Sequence, residues 1–285
     1  MTACERAPET YQPRYSTGAP RQDTWFLFGV HPLHNPARLQ ELYGPITDLL
    51  SRRIPGARFR LEASRNYATY EEKLYQGHFH FALPNPYQTV LALRHGYRVF
   101  GKVMDDDDFY GIILVRKDSG IRWISDLKGK AISFPAPTAL AATMMPQFFL
   151  QRYGLDVMHD IEIRYVGSQE SSIMSVYLGD VAAAASWPPP WRALSRERPE
   201  VAEQLEERWQ TPPLRNNGLV VRQDVPPMIV EQVGALLFSL HESAEGQAML
   251  RRMELAGFET ADDDSYQTVR DFLEQFNAQV RPVEH

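Results

Sequence analysis

The sequence predicts an α/β protein of two lobes, each a mostly parallel sheet flanked by helices, with a ligand cleft between the lobes. Three observations carry this expectation. Strand-like and helix-like segments alternate strictly from residue 24 onward, the pattern of parallel βαβ units. The alternation comes in two successive sets. A late strand pattern followed by helices then brings the chain back, so two crossings join lobes expected at 24–110 with 218–285 and at 111–217.

The elements follow in order. "TWFLFGV" at 24–30 is a buried-strand run, and after the turn-rich "HPLHNP" the residues Leu39, Leu42, Ile46, Leu49 and Leu50 recur at helical spacing. The strand "ARFRLEA", the helix "NYATYEEKLYQG", the strand "FHFALP" and the helix "PYQTVLALRHG" complete the first set. "YRVFGKVM" and an acidic loop lead to the apolar strand "YGIILVRKDSGI" and then to "WISDLKGKAISF", a short helix and another strand. The second set continues with a helix opening at Ala139, the strand "IEIRYVG", the helix "ESSIMSVYLGD" and the apolar run "VAAAASW". "PPPWRALSRERPEVAEQLEERW" reads as proline-started and then helical, "NNGLVVRQDV" as the return strand, and the remainder as helices. Thr138 is the expected cap of the helix that opens at Ala139.

Composition excludes several classes of function. A net charge of −6 argues against nucleic acid as a partner, because a phosphate backbone calls for a basic face. No apolar run approaches the ~18 residues of a membrane span. The single cysteine, Cys4, rules out an internal disulfide. Its setting, "MTAC" before a polar, proline-containing stretch, looks like the end of a bacterial lipoprotein signal, with Cys4 lipidated and residues 1–23 a flexible tether. The other reading is a disordered cytosolic N-terminus with a chance cysteine.

Within this order stand particular words: "FGVHP", "NYATYEEKLYQGHFHFALPNPY", "YGIILVRKDSGIRWISDLKGKAISFPAP", "MMPQFFLQRYGLD" and "VGSQESSIMSVYLGDVAAA". Together they resemble the periplasmic solute-binding proteins of phosphate, phosphite and phosphonate ABC importers, across about residues 28–184. The resemblance implies a type II periplasmic-binding-protein fold that closes like a hinge over a ligand, acts as a monomer and hands the ligand to a membrane permease. It also implies that Tyr67 and Tyr110 wall the cleft. The family's anion cradle, a Ser-Thr-Ser run at a helix start, falls on Ala139, Leu140 and Ala141; its "GSH" histidine falls on Gln169, and the aspartate of its "VDIA" word on His80.

These departures shape the expected ligand. Each lost charge-assisted hydrogen bond removes roughly 1.5 to 3 kcal/mol from an anion site. Ala139, Leu140, Ala141, Met144 and Trp187 offer an apolar lining instead, and burying ~300 Å² of apolar ligand gains about 7 kcal/mol gross. Asn85, Tyr87, Thr138, Gln169, Glu170 and Ser186 supply polar groups to orient one end. The main expectation is therefore a hydrophobic or amphipathic cargo, such as a sterol, another polycyclic lipid or an aromatic compound, passed to a permease or another envelope transport protein. The alternatives are a phosphonate-type oxyanion and a sensor that docks on a membrane kinase.

Other chemistry finds less support. His31 and His34 in the first loop and His78 and His80 on one strand face invite a metal, but they lack the tight spacing and the carboxylate or thiolate of a dedicated site. The run Asp105 to Asp108 reads as a solvated loop, and Glu71 and Glu72 as a solvated helix face. No G-x-S-x-G word or phosphate-binding glycine loop occurs, so no catalytic set, cofactor or metal is expected.

Overall fold

A computed structural model describes residues 23–283; Cys4 and the segment around it lie outside the described residues. In the first lobe, β1 (Thr24–Val30) runs parallel to both β2 (Ala57–Ala63) and β3 (Phe81–Leu83). The helices α1 (Pro36–Arg53), α2 (Tyr67–Tyr75) and α3 (Pro86–Ala92) connect and follow them. Asn35, Asn66 and Asn85 each cap one of these helices through the side-chain oxygen, and proline opens α1 and α3. β4 (Tyr97–Val103) joins the same sheet and leads to the first crossing.

The second lobe is built from β5 (Ile112–Arg116), β6 (Ala131–Phe134), α4 (Met145–Arg152), β7 (Glu162–Tyr165), α5 (Gln169–Tyr177), β8 (Ala183–Ser186), α6 (Pro188–Glu197), α7 (Pro199–Gln204) and β9 (Leu205–Gln210). β6 pairs in parallel with β7 and β8, while β5, fresh from the crossing, enters antiparallel between β8 and β9. The first lobe repeats the device. Its strand β10 (Gly218–Arg222), arriving from the second crossing, enters antiparallel between β3 and β4. β11 (Phe258–Glu259) closes that edge, and α8 (Pro227–Phe238), α9 (Ala244–Met253) and α10 (Gln267–Gln279) finish the lobe.

Two local expectations differ from the structure. Residues 205–209, expected in a helix, fall in the edge strand β9, with Leu205 buried and a ladder to β5 interrupted by one bulge at Arg208. Tertiary pairing overrides the helix-favouring glutamates there. Thr138 does not cap the helix after β6. The N-cap is Ala139, and no side chain caps it.

That helix opens instead with a π turn, Leu140–Met144, before α4. Met144 N–H reaches the Ala139 carbonyl and Met145 N–H the Leu140 carbonyl, each one residue further back than in an α-helix. Pro146 supplies the reason: without an N–H it cannot bond the Ala142 carbonyl, and its ring would crowd that oxygen, so the register slips by one residue.

The two crossings lie side by side. Thr211 N–H donates to the Gly111 carbonyl (2.9 Å), Gly111 N–H to Thr211 Oγ1 (2.9 Å), and Leu214 N–H to the Phe109 carbonyl (2.9 Å). Gly111 has to be glycine for close approach: a Cβ there would sit 2.5 Å from the Ala141 carbonyl oxygen and 2.7 Å from Pro146 Cδ. The crossing is thereby pressed against the start of the π turn.

Candidate ligand-binding site

Successive parallel strands deliver one pocket residue after another at their carboxyl ends, where open α/β sheets bind ligands. His31 follows β1, Tyr67 begins the helix after β2, and Asn85 follows β3. From the other lobe, residues 139–142 follow β6, Gln169 opens the helix after β7, and Trp187 follows β8. Phe109 and Asn217 come from the crossings. These residues enclose a pocket of about 10 Å³, the space of roughly one water molecule. The lobes are therefore closed on each other.

The pocket's donors are mostly main chain. Leu140, Ala141 and Ala142 form the first turn of the helix, ahead of its first internal bond from Thr143 N–H to the Ala139 carbonyl. Their N–H groups are thus without intrahelical partners and sit at the positive end of the dipole. The Tyr67 hydroxyl accepts from Gln169 Nε2 across the cleft (2.9 Å) and keeps its own hydrogen to donate.

His31 is buried, and its Nδ1 donates to the Leu83 carbonyl (2.9 Å). Burial lowers the His31 pKa to about 4, against which the Leu83 bond works only in part. The imidazole is neutral at pH 7, with Nε2 left as an acceptor. Gln169 Oε1 and Asn217 Oδ1 are also buried without a hydrogen-bond partner. The walls between these groups are apolar, with Phe109 and Trp187 edge to face at 5.4 Å.

A latch lies just outside the pocket. The Thr138 hydroxyl donates to Glu71 Oε1, which also accepts from Gln88 Nε2 (2.9 Å), and Asn85 Nδ2 donates to the Thr138 carbonyl (2.9 Å). Glu71 is half-buried here, not part of a solvated face. Its pKa is raised by desolvation, opposed by these hydrogen bonds. Ion pairs close the outer rim between the lobes, Arg38 with Glu197 and Arg196 with Glu254.

Of the residues expected at the site from sequence, Tyr67, Asn85, Ala139, Leu140, Ala141, Gln169 and Trp187 meet in this pocket. His80 lies elsewhere. It precedes β3 at the end away from the cleft, where Nδ1 accepts from Leu27 N–H (3.0 Å). Tyr110 packs among the side chains of the second lobe, and Tyr87 is buried in the core of the first. Met144, at the end of the π turn, is buried in the core as well. Thr138 belongs to the latch, Ser186 is buried in β8 outside the lining, and Glu170 is exposed at a rim groove beside His34.

Phe109, Ala142 and Asn217 line the pocket unanticipated, and His31, weighed from sequence only as one of four histidines for a metal, lines it as well. His31 was open to discovery as the first residue after a buried strand. The histidines do not converge on a metal: His78 pairs with Glu62 (3.0 Å) while His31 bonds the Leu83 carbonyl, and no group of three or more potential ligands is assembled among the described residues.

Two lobes, two adjacent crossings and a closed pocket between them define a solute-binding protein of the hinge-closing class. Residues 28–266 match the family model described as "ABC transporter, phosphonate, periplasmic substrate-binding protein", and the chain belongs to that family. Its members are solute-binding proteins of the periplasm that deliver small molecules to a membrane permease. No helix among the described residues is long and apolar enough to cross a membrane.

The fold is similar to that of a binding-protein component of an ABC phosphonate transporter from Pseudomonas aeruginosa, with a TM-score of 0.83 and 17% identity over 90% of this chain and 88% of that one. It is also similar to a methylphosphonate complex from Prochlorococcus marinus, with a TM-score of 0.81 and 17% identity over 90% and 99% of the two chains. A tetrathionate sensor histidine kinase of Salmonella typhimurium is 26% identical over 152 residues, 50% of this chain and 25% of the kinase. The match thus spans a quarter of that relative's length.

Proposed function

We propose that this binding protein captures a small oxyanion with a short organic substituent, of the phosphonate class, and presents it to a permease. The observation that carries this reading is that residues 140–142, whose main-chain amides have no partner within the helix, line a small pocket together with Gln169 and Asn217, whose side-chain oxygens are unpartnered. Side chains at 139–141 are then irrelevant to the grip, and Leu140, Phe109 and Trp187 pack against the organic substituent. Family membership supports the same reading. A sterol-sized cargo, the main expectation from the side chains alone, is less well supported by membership of a phosphonate-type family.

Calorimetry of the purified protein with methylphosphonate, phosphite, phosphate and tetrathionate tests the reading, alongside native mass spectrometry for retained lipid. Micromolar binding of a small oxyanion is expected; silence with all four and a co-purifying lipid would overturn it. Leu140→Ser sharpens the choice. It leaves the amide grip in place, so affinity for phosphate or phosphite, which carry no organic substituent, changes little, whereas an apolar cargo loses about 1 to 3 kcal/mol.

The match to a tetrathionate sensor kinase supports a second reading, in which the loaded protein docks on a membrane kinase. A sulfur oxyanion bound in preference to phosphonates favours it. Lipidation at Cys4 is a separate proposal, tested by the mass of the protein released from membranes.

A further inference from the structure

The pocket holds more hydrogen-bond acceptors than a fully ionised oxyanion can use. Gln169 Oε1 and Asn217 Oδ1 have no partner although the two residues are only 2% and 3% exposed, and His31 adds Nε2, since its proton is fixed on Nδ1 by the Leu83 carbonyl. All three residues line the same small space as the first-turn amides. A sulfonate, or a phosphonate that has lost both protons, offers lone pairs only. It satisfies the amides and the Tyr67 hydroxyl but brings no donor to any of the three acceptors, whereas a single P–O–H pairs with one of them. Buried acceptors left unpaired each weaken binding substantially.

Resting on the reading of the site as a small-oxyanion pocket, we propose that it selects the singly protonated phosphonate, whose P–O–H donates to this acceptor set. The doubly ionised form and sulfonates of equal size are rejected.

The surrounding charges agree. No lysine or arginine lines the pocket among the described residues. His31 from the first loop is neutral, as is His34 further along it, both lowered to about 4 chiefly by burial. From α2 come Tyr67 and, one turn on, Glu71, a carboxylate held by two donors. Near Phe109 and Trp187 stand Asp105, Asp108 and Glu254, and the cations beside them, Arg192 and Arg196 of α6, are tied to Asp108 and Glu254. Beyond the dipole at the first turn, no side-chain cation in the pocket lining among the described residues offsets a second negative charge on the ligand.

Calorimetry with methylphosphonate and methanesulfonate at about pH 6 and about pH 9, at constant ionic strength, tests this on the unaltered chain. Only the singly protonated fraction binds, so the methylphosphonate Kd weakens about tenfold per pH unit above the ligand's second ionisation. Methanesulfonate is expected at least about tenfold weaker than methylphosphonate at about pH 6. Because burial lowers His31 to about 4 and raises Tyr67, neither changes its proton in this window, and the slope belongs to the ligand. Methylphosphonate binding that is unchanged or tighter at about pH 9, or methanesulfonate of equal affinity, overturns the inference and leaves the oxyanion reading standing. Failure of both compounds to bind at about pH 6 overturns the two together.

Discussion

At the residue scale the most consequential side chain is His31, buried and neutral against the Leu83 carbonyl. Its folded pKa of about 4 lies below the ordinary 6.5, so the unfolded chain takes up a proton first as pH falls. The associated stability is fully present above pH 6.5 and is lost progressively toward pH 4, with a limit of roughly 3 kcal/mol from the shift. Urea denaturation across this range should show the decline, and His31→Gln, which can still donate to the carbonyl, should decline less; equal slopes would remove His31 as the cause. Sequence reasoning reached Tyr67, Asn85 and Gln169 by matching words, but not Asn217. The features that single out Asn217 are its burial and its place where the second crossing enters the sheet, and both belong to the folded chain.

At the scale of elements, the first crossing and the π turn form one unit because Gly111 leaves room for the Ala141 carbonyl and Pro146. Gly111→Ala should push the turn away from the crossing and tilt the amides of residues 140–142. Ligand affinity is expected to fall at least about tenfold, with destabilisation of about 1 to 3 kcal/mol from overpacking. Titration and thermal melts read the two effects separately, and intact affinity in a destabilised variant would show that the amides do not move with the crossing. Most elements were legible as strands and helices because their apolar periodicity matches their burial. β9 was not, since its helix-favouring composition yields to a partner strand distant in the chain. The π turn was hidden for a similar reason: Pro146 is plain in the sequence, but a proline at a helix start is ordinary, and only the bonds of Met144 and Met145 reveal the slipped register.

At the scale of the molecule, closure is held by bonds around the pocket as well as by the Tyr67–Gln169 bond across it. Glu71 with Thr138, Asn85 with the Thr138 carbonyl, and the rim pair of Arg38 and Glu197 all span the lobes. The rim pair is exposed and adds little, whereas the hydrogen bond to the half-buried Glu71 carboxylate is of the stronger kind. Thr138→Ala should therefore release about 1.5 to 3 kcal/mol of closed-state preference. Small-angle scattering is expected to show a larger radius for the free variant than for the free parent, with ligand restoring the compact form; identical free radii would assign closure to other contacts. The two-lobed order was readable from strand and helix alternation, but the latch was not. Glu71 looks like half of a surface acid pair until Thr138 is brought to it from the other lobe. The amide cradle has a further consequence, for how such a protein changes over generations. A grip made of main-chain N–H groups does not depend on a hydroxyl side chain at Ala139, Leu140 or Ala141, so these buried positions answer to packing alone, and a substitution that keeps their volume and the turn keeps the anion hold. Cargo preference would then shift through the walls and the acceptor set, while the anion hold is inherited with the backbone.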